Sequence, residues 1–193
     1  MKDTYICIKG KIMNLEELAI KHGTDKKCEE GHGYTPFYEK YFEPLRNETV
    51  KLMELGVRKG WSMNMWVEYF PNGEFWGIDN DKEGLCPKDF NNDMIHFHLG
   101  SQDDELFLKS VCGENKFDII IDDCSHISKL SIRSFDILFP YLKEGGIYVI
   151  EDLHTWKLFE YNPEMFSLNQ ISSSEIADKT MFLEKIMFIR KRG

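Results

Sequence analysis

Two acidic clusters, each directly after a short apolar run, are the part of this sequence best suited to chemistry. Asp122-Asp123-Cys124-Ser125-His126 follows the apolar run 117–121, and Glu151-Asp152 follows the apolar run 147–150. Runs of this length that are rich in Ile and Val indicate strands buried in a parallel sheet. Ligands of such sheets bind at the carboxyl ends of the strands, so we expect both clusters to face one crevice. The side chains expected there are Asp123, His126, Glu151 and Asp152.

The residue types in these clusters favour a metal-assisted proton transfer. Three carboxylates suit a hard divalent cation such as Mg²⁺, and a nearby imidazole suits a general base. The alternative is that the acids are solvated or cap the next helix. Either cluster alone would be a weak indication, whereas the pair favours a site.

A glycine turn earlier in the chain indicates a place where a nucleoside or phosphate approaches the backbone. Residues 50–55 predict a strand that leads into Gly56 and Gly60, and a helix is predicted over residues 62–69. A strand, a glycine turn and a helix form the ligand-approaching element of doubly wound folds. The spacing is not the GxGxxG fingerprint, and no Walker lysine-serine pair follows.

An acidic turn ends the second predicted strand, over residues 73–78. Asp79, with Asp81 two positions later, lies about 20 residues beyond the glycine turn, where an acid can accept hydrogen bonds from a ribose diol. Together the two features favour a nucleoside-cofactor site, and the alternative is a solvated acidic turn.

Composition restricts the class of protein. The chain has 193 residues, 42% of them hydrophobic and 13% aromatic, which is typical of one globular domain. Its net charge of −9 argues against a nucleic-acid partner, although an anionic small substrate stays compatible with it.

The cysteines and the apolar pattern indicate a cytoplasmic protein. The five cysteines are odd in number and lack CxxC spacing, which favours reduced thiols over a disulfide framework or a zinc site. Cys124 has acidic neighbours that disfavour a thiolate, so we expect a structural role. The start of the sequence does not resemble a signal peptide, and no apolar run approaches membrane-spanning length, so no membrane partner is expected.

The order of predicted elements is that of an α/β protein. Residues 1–47 form an N-terminal helical and flap segment, with a helix capped by Asn14 and ended by Gly23. A second helix over residues 35–43 carries Tyr38, which we assign to the core. The remaining predicted elements are strands over 94–99, 116–123 and 147–151, helices over 103–111 (capped by Ser101), 131–139 and 153–161, a turn over 142–146, and a hairpin over 179–192. The expected fold is a doubly wound, Rossmann-like, mostly parallel sheet with an antiparallel C-terminal hairpin and helices on both faces.

Two features stay open at this point. The polar, glycine-rich loop over residues 23–34 suits either a connector or a flap over a ligand. His96 and His98 alternate on a strand, where packing or surface positions are commoner than a two-histidine metal site.

Several motifs resemble known enzymes. Glu54-Leu55-Gly56 with Gly60, then Gly77-Ile78-Asp79, is similar to the class I S-adenosylmethionine-dependent methyltransferases. Further motifs resemble the metal-dependent sugar O-methyltransferases of the macrocin and mycinamicin type, over about residues 18–153. These motifs are Gly23-Thr24-Asp25-Lys26 with Tyr34-Thr35-Pro36, Ile121-Asp122-Asp123-Cys124-Ser125-His126, Leu138-Phe139-Pro140, and Gly145-Gly146-Ile147-Tyr148-Val149-Ile150-Glu151-Asp152-Leu153.

The resemblance implies a role for individual residues. Asp123, Glu151 and Asp152 match the Mg²⁺ ligands of that family, and His126 matches its catalytic base. The residues implied around S-adenosylmethionine are Tyr34, Glu54, Gly56, Gly60, Ser62, Asp79, Asp81, Ser101, Gln102 and Asp122. Cys124 departs from the family, in which a small residue is common. The segment after Asp152 is short, which favours a small or nucleotide-linked sugar over a bulky macrolide as acceptor.

The implied reaction is metal-assisted, inverting methyl transfer to a sugar hydroxyl. A metal that binds adjacent hydroxyls lowers their pKa, and a positioned imidazole can take the proton. The alternatives are a methyltransferase of a catechol or an amine, a nicotinamide-dependent oxidoreductase, and a non-catalytic nucleoside-binding module. Packing of the aromatic N-terminal helices between subunits of a homo-oligomer stays open.

Overall fold

The computed structural model describes residues 12–87, 90, 92–153, 176–182 and 185–193. Its strands are β1 (Lys51–Leu55), β2 (Glu74–Asp79), β3 (Ile95–Leu99), β4 (Phe117–Asp122), β5 (Leu142–Ile150), β6 (Ile176–Phe182) and β7 (Ile186–Lys191). Its helices are α1 (Leu15–His22), α2 (Thr35–Phe42), α3 (Trp61–Tyr69), α4 (Glu105–Cys112) and α5 (Ser128–Leu138), with 3-10 turns over Glu43–Leu45 and Phe139–Tyr141.

Within these residues the strands form one sheet of seven in the order β3-β2-β1-β4-β5-β7-β6. Strands β1 to β5 run parallel, and β7 is antiparallel to both β5 and β6. The expected mostly parallel sheet with an antiparallel C-terminal hairpin is therefore confirmed.

The apolar side chains of the central strands are buried on both faces of the sheet. Ile120 points into a core that α4 and α5 cover, whereas Ile119 and Ile121 belong to the core on the side of α1, α2 and α3. Successive side chains of a strand point to opposite faces, so continuous Ile-rich runs are needed where helices cover both.

Local signals set most of the boundaries. The side chain of Asn14 accepts from the backbone N–H of Glu17 at 2.9 Å, and Glu17 in turn accepts from the backbone of Asn14, so the predicted capping box is present. The predicted cap of α4 was wrong. Asp104 accepts from the N–H of Phe107 at 3.0 Å, while the Ser101 hydroxyl donates to Asp103.

Two other boundaries differ from expectation. The predicted turn over residues 142–146 belongs to β5, because Leu142 already pairs with Phe117 and the register then shifts to pair Ile119 with Ile147. Gly145 and Gly146 thus lie at an irregularity in the pairing of β4 with β5 and do not form a separate turn. Helix α5 begins at Ser128 instead of residue 131.

One predicted element lies almost wholly outside the residues that the structure describes. Apart from Leu153, the predicted helix over residues 153–161 lies outside the described residues.

Among the helices that are described, none has the length and apolar character needed to cross a bilayer. The described cysteines Cys28, Cys86, Cys112 and Cys124 form no disulfide.

Candidate active site

A cavity of about 500 Å³ opens at the carboxyl ends of the parallel strands. Its lining includes Gly56 after β1, Asp79 at the end of β2, Asp123 after β4 and Asp152 after β5. This edge is where open α/β sheets bind ligands. The two halves expected from the sequence, the glycine turn with its acid and the acidic clusters, therefore border one space.

Half of the predicted site residues border this cavity and half do not. Those in the lining are Gly56, Ser62, Asp79, Asp81, Asp123, His126 and Asp152. Those not in the lining are Tyr34, Glu54, Gly60, Ser101, Gln102, Asp122 and Glu151.

Three side chains in the lining could hold a metal ion together. One ligand atom each from Asp123, His126 and Asp152 lies within 4.8 Å of the others. Two carboxylates from neighbouring strand ends are the oxygen donors that a hard divalent cation prefers. Glu151 is not in this group, because its buried carboxylate contacts the Lys26 ammonium at 2.8 Å and accepts from the Tyr38 hydroxyl.

Backbone strain is concentrated around the cavity. Among the described residues, Glu30, Arg58, Asp81, His126 and Asp152 are the non-glycine residues with positive φ, and all except Glu30 line the cavity. Such conformations cost on the order of 1–3 kcal/mol each and persist where the surrounding structure holds them. The structure around the cavity therefore holds His126 and Asp152 in strained backbone conformations.

The N-terminal segment supplies hydrogen-bond donors to the strand-end carboxylates. The Lys26 ammonium lies 2.5 Å from Oδ2 of Asp123, and the Tyr34 hydroxyl donates to Oδ1 of Asp152 at 2.6 Å. Burial raises the pKa of the Tyr34 hydroxyl, and the bond to Asp152 raises it further, so the hydroxyl stays a donor.

Sequence reasoning missed two of these contacts. Lys26 belongs to the glycine-threonine-aspartate-lysine motif, which was the available signal, but no role was assigned to it. Tyr38 is fully buried as expected for core, yet its hydroxyl reaches Glu151.

The loop over residues 23–34 covers one side of the cavity. Thr24, Asp25, Lys26 and His32 from this loop belong to the lining. Nδ1 of His32 lies 3.0 Å from Oδ1 of Asp152, on the same carboxylate that Nε2 of His126 approaches at 3.4 Å. These contacts favour the flap over the simple connector.

On the opposite side of the cavity, backbone N–H groups fix the Asp79 carboxylate. Oδ2 accepts from Arg58 at 2.8 Å, and Oδ1 accepts from Asp81 at 2.7 Å. A carboxylate has about four lone-pair sites, so each oxygen can still accept from a diol. The geometry is compatible with the ribose contact expected of Asp79.

The glycines of the turn are needed for contacts within the protein. A Cβ on Gly56, which has φ +89°, would clash with the backbone carbonyl of Asp123. A Cβ on Gly60 would lie 2.7 Å from the ring of Phe90. Gly56 therefore lets the loop after β1 approach the loop after β4, besides bordering the cavity.

Gln102 and Asp122 support the loop that carries His126. Asp122 accepts from the Ser134 hydroxyl at 2.7 Å, and the Gln102 side-chain oxygen accepts from the N–H of Ser125 at 3.1 Å. Both residues are buried behind the cavity, whereas Ser101 is exposed. Burial raises the pKa of the Cys124 thiol and Asp122 adds to the effect, which agrees with a neutral, structural cysteine.

The Glu54 carboxyl is a buried titratable group next to this site. Burial raises its pKa to about 7, and Lys26, 3.5 Å away, opposes the shift. The Ser62 hydroxyl donates to its other oxygen at 2.9 Å.

We expect this group to make stability depend on pH. Because the native pKa of about 7 exceeds the ordinary value of 4.5, the group contributes stability below pH 4.5 that is lost as the pH rises through 7. The loss should be about 3 kcal/mol. Urea unfolding between pH 4.5 and 8 should therefore show a steeper decline for the wild type than for Glu54→Gln. Parallel pH profiles would contradict this assignment.

No protein-family model matches the sequence. A Streptomyces olivaceus protein, 8-demethyl-8-(2-methoxy-alpha-L-rhamnosyl)-tetracenomycin-C 3'-O-methyltransferase, is 42% identical over an alignment of 151 residues that covers 74% of this chain and 37% of that protein. Mycinamicin VI 2''-O-methyltransferase of Micromonospora griseorubida is 37% identical over an alignment of 133 residues that covers 64% of this chain and 32% of that protein. The chain thus spans about a third of the length of these relatives.

Solved structures show the same relationship. The MycE methyltransferase from the mycinamycin biosynthetic pathway, in complex with Mg, SAH and mycinamycin VI, matches with a TM-score of 0.77 at 29% identity. The match covers 93% of this chain and 55% of that chain. Sequence and fold together show that this chain is similar to the macrocin- and mycinamicin-type sugar O-methyltransferases and has the fold of a class I S-adenosylmethionine-dependent methyltransferase.

Proposed function

We propose that this chain catalyses S-adenosylmethionine-dependent, metal-assisted methylation of a sugar hydroxyl, with a small or nucleotide-linked sugar as acceptor. The observation that carries the proposal is the single cavity in which Asp123, His126 and Asp152 face the Gly56 turn and Asp79. The relatives are named for methylation of sugars attached to natural products, which supports a sugar hydroxyl as the acceptor group.

The residues fit both implied ligands. Asp79 and the Gly56 turn would hold S-adenosylmethionine, since the carboxylate is fixed at the cavity with acceptor capacity left. Asp123, Glu151 and Asp152 would hold the metal ion. The fit is direct for Asp123 and Asp152, which border the cavity, while Glu151 lies buried behind them.

His126 would act as the general base. When bound, S-adenosylmethionine supplies the methyl group and the divalent cation lowers the pKa of an acceptor hydroxyl. His126 borders the cavity, so its imidazole can accept the hydroxyl proton. Asp152, 3.4 Å from its Nε2, would then stabilise the charged ring.

We also propose that residues 1–47 belong to the same methyltransferase domain as the sheet. The support comes from Lys26, Tyr34 and Tyr38, which contact the strand-end carboxylates directly.

The test is release of S-adenosylhomocysteine with nucleotide sugars, free sugars and catechols, in Mg²⁺ and in EDTA. We expect product from a sugar in Mg²⁺ and at least a tenfold loss in EDTA, because removal of the cation leaves the hydroxyl a poor nucleophile. Undiminished turnover in EDTA would refute the metal roles of Asp123, Glu151 and Asp152 while retaining methyl transfer. Turnover of catechols alone would refute the sugar acceptor. Absence of calorimetric binding of S-adenosylmethionine would refute the proposal as a whole.

A further inference from the structure

The Lys26 ammonium is a buried cation surrounded by carboxylates. The side chain is 1% exposed, and Nζ lies 2.5 Å from Asp123, 2.8 Å from Glu151 and 3.5 Å from Glu54. Burial of an ammonium is costly unless carboxylates and hydrogen bonds compensate it. Removal of the Lys26 ammonium would therefore leave the three carboxylates next to one another without this compensating charge.

These three carboxylates come from three adjacent strands. Glu54 lies in β1, Asp123 follows β4 and Glu151 follows β5, and β4 lies between the other two in the sheet. One ammonium thus connects the ends of the strands that build the proposed metal site.

Two tyrosines complete a set of donors from the same N-terminal segment. The Tyr38 hydroxyl donates to Glu151, and the Tyr34 hydroxyl donates to Asp152 at 2.6 Å. Each of the three proposed metal-ligand carboxylates therefore receives at least one donor from Lys26, Tyr34 or Tyr38. Groups that hydrogen-bond metal ligands orient them, and loss of such a group typically costs about 10–100-fold in metal affinity or activity.

We propose that Lys26 is a positioning residue of the metal-assisted reaction. It holds the Asp123 carboxylate at the cavity and fixes Glu151 behind it, and Tyr38 assists it at Glu151. This inference rests on the proposed function, since it assigns Lys26 a role at the same metal site. Lys26 also belongs to the cavity lining, so the space left by a shortened side chain would adjoin the cavity.

The first experiment measures Mn²⁺ affinity by calorimetry, together with kcat and KM, for Lys26→Met and for a matched control, Lys27→Met. Lys27 is the neighbouring lysine, and its ammonium lies 3.9 Å from the exposed Glu30. We expect Lys26→Met to bind Mn²⁺ about 10–100-fold more weakly and to lose kcat by a similar factor. S-adenosylmethionine affinity should stay within about twofold, and Lys27→Met should match the wild type.

Two further variants keep the test decisive if Lys26→Met does not fold. Tyr38→Phe removes only a hydroxyl and should also weaken Mn²⁺ binding. Lys26→Ala should regain part of the lost affinity in methylammonium, which can occupy the vacated position, but not in tetramethylammonium, which cannot donate a hydrogen bond.

The outcomes separate this inference from the proposed function. Wild-type protein that binds neither Mn²⁺ nor S-adenosylmethionine would overturn both. Wild-type protein that binds both ligands, with unchanged or tighter Mn²⁺ binding in the Lys26 and Tyr38 variants, would overturn the positioning role alone. Tighter binding would mean that Lys26 competes with the cation instead of orienting its ligands.

Discussion

Replacement of His126 by alanine is expected to lower turnover by about 10²–10⁴-fold, the usual contribution of a general base. The loss should fall on kcat at saturating Mg²⁺, because His126 is the described imidazole that lies close to both Asp123 and Asp152, whereas His32 contacts the carboxylate of Asp152. The affinity for S-adenosylmethionine should stay unchanged, since the residues proposed to hold it, Asp79 and the Gly56 turn, lie at the ends of β1 and β2, whereas His126 follows β4. Steady-state release of S-adenosylhomocysteine and a calorimetric titration of the cofactor measure the two quantities.

The control for this prediction is His96→Ala. His96 lies on β3, where Nε2 is 2.8 Å from Glu74, and it does not belong to the cavity lining. Its variant should turn over at the wild-type rate. Normal turnover by His126→Ala would refute the base, and a large drop in its Mn²⁺ affinity would make His126 a metal ligand instead.

Replacement of Gly56 by alanine is expected to lower the free energy of unfolding by about 2–5 kcal/mol. Two costs add: a left-handed backbone for a residue with a Cβ, about 1–2 kcal/mol, and overpacking against the Asp123 backbone, about 1–3 kcal/mol. The melting temperature should fall by roughly 2–4 °C for each kcal/mol in a chain of this size. Because the clash displaces Asp123 itself, Mn²⁺ affinity should fall as well.

Gly145→Ala separates the two costs. Gly145 has φ +74°, and a Cβ there would meet no atom within 4 Å. Its variant should show only the backbone cost, about 1–2 kcal/mol, without an effect on Mn²⁺ binding. If urea unfolding shows the same loss of stability for Gly56→Ala and Gly145→Ala, overpacking between the loops after β1 and β4 contributes nothing to the effect of Gly56→Ala.

Much of the fold could be predicted because local signals and global packing agree in this chain. The Ile-rich runs before Asp122 and Glu151 are buried on both faces, and such runs indicate parallel strands directly. Since both strands end at one edge of the sheet, the meeting of Asp123, His126 and Asp152 followed from the pattern, whereas Glu151, expected with them, lies outside the cavity lining.

The features that could not be predicted depend on contacts between residues far apart in the chain, or on a sequence pattern that suits two different structures. Lys26 lies in a polar, glycine-rich loop, and a lysine in such a loop usually faces solvent. Its burial is caused by acids 97 and 125 residues later in the chain. Gly145-Gly146 suits a turn and a strand irregularity equally well, and only the pairing of Leu142 with Phe117 decides between them.

The contacts of the N-terminal segment with the strand-end acids also have a consequence for folding kinetics. Lys26, Tyr34 and Tyr38 meet Asp123, Glu151 and Asp152 across separations of 97 to 125 residues, so the chain must close long loops before these contacts can form. The acids gather as β1, β4 and β5 align, and their mutual repulsion stays uncompensated until the segment docks. We expect the docking to come late, so mutations of Lys26 should mainly accelerate unfolding and change the folding rate little.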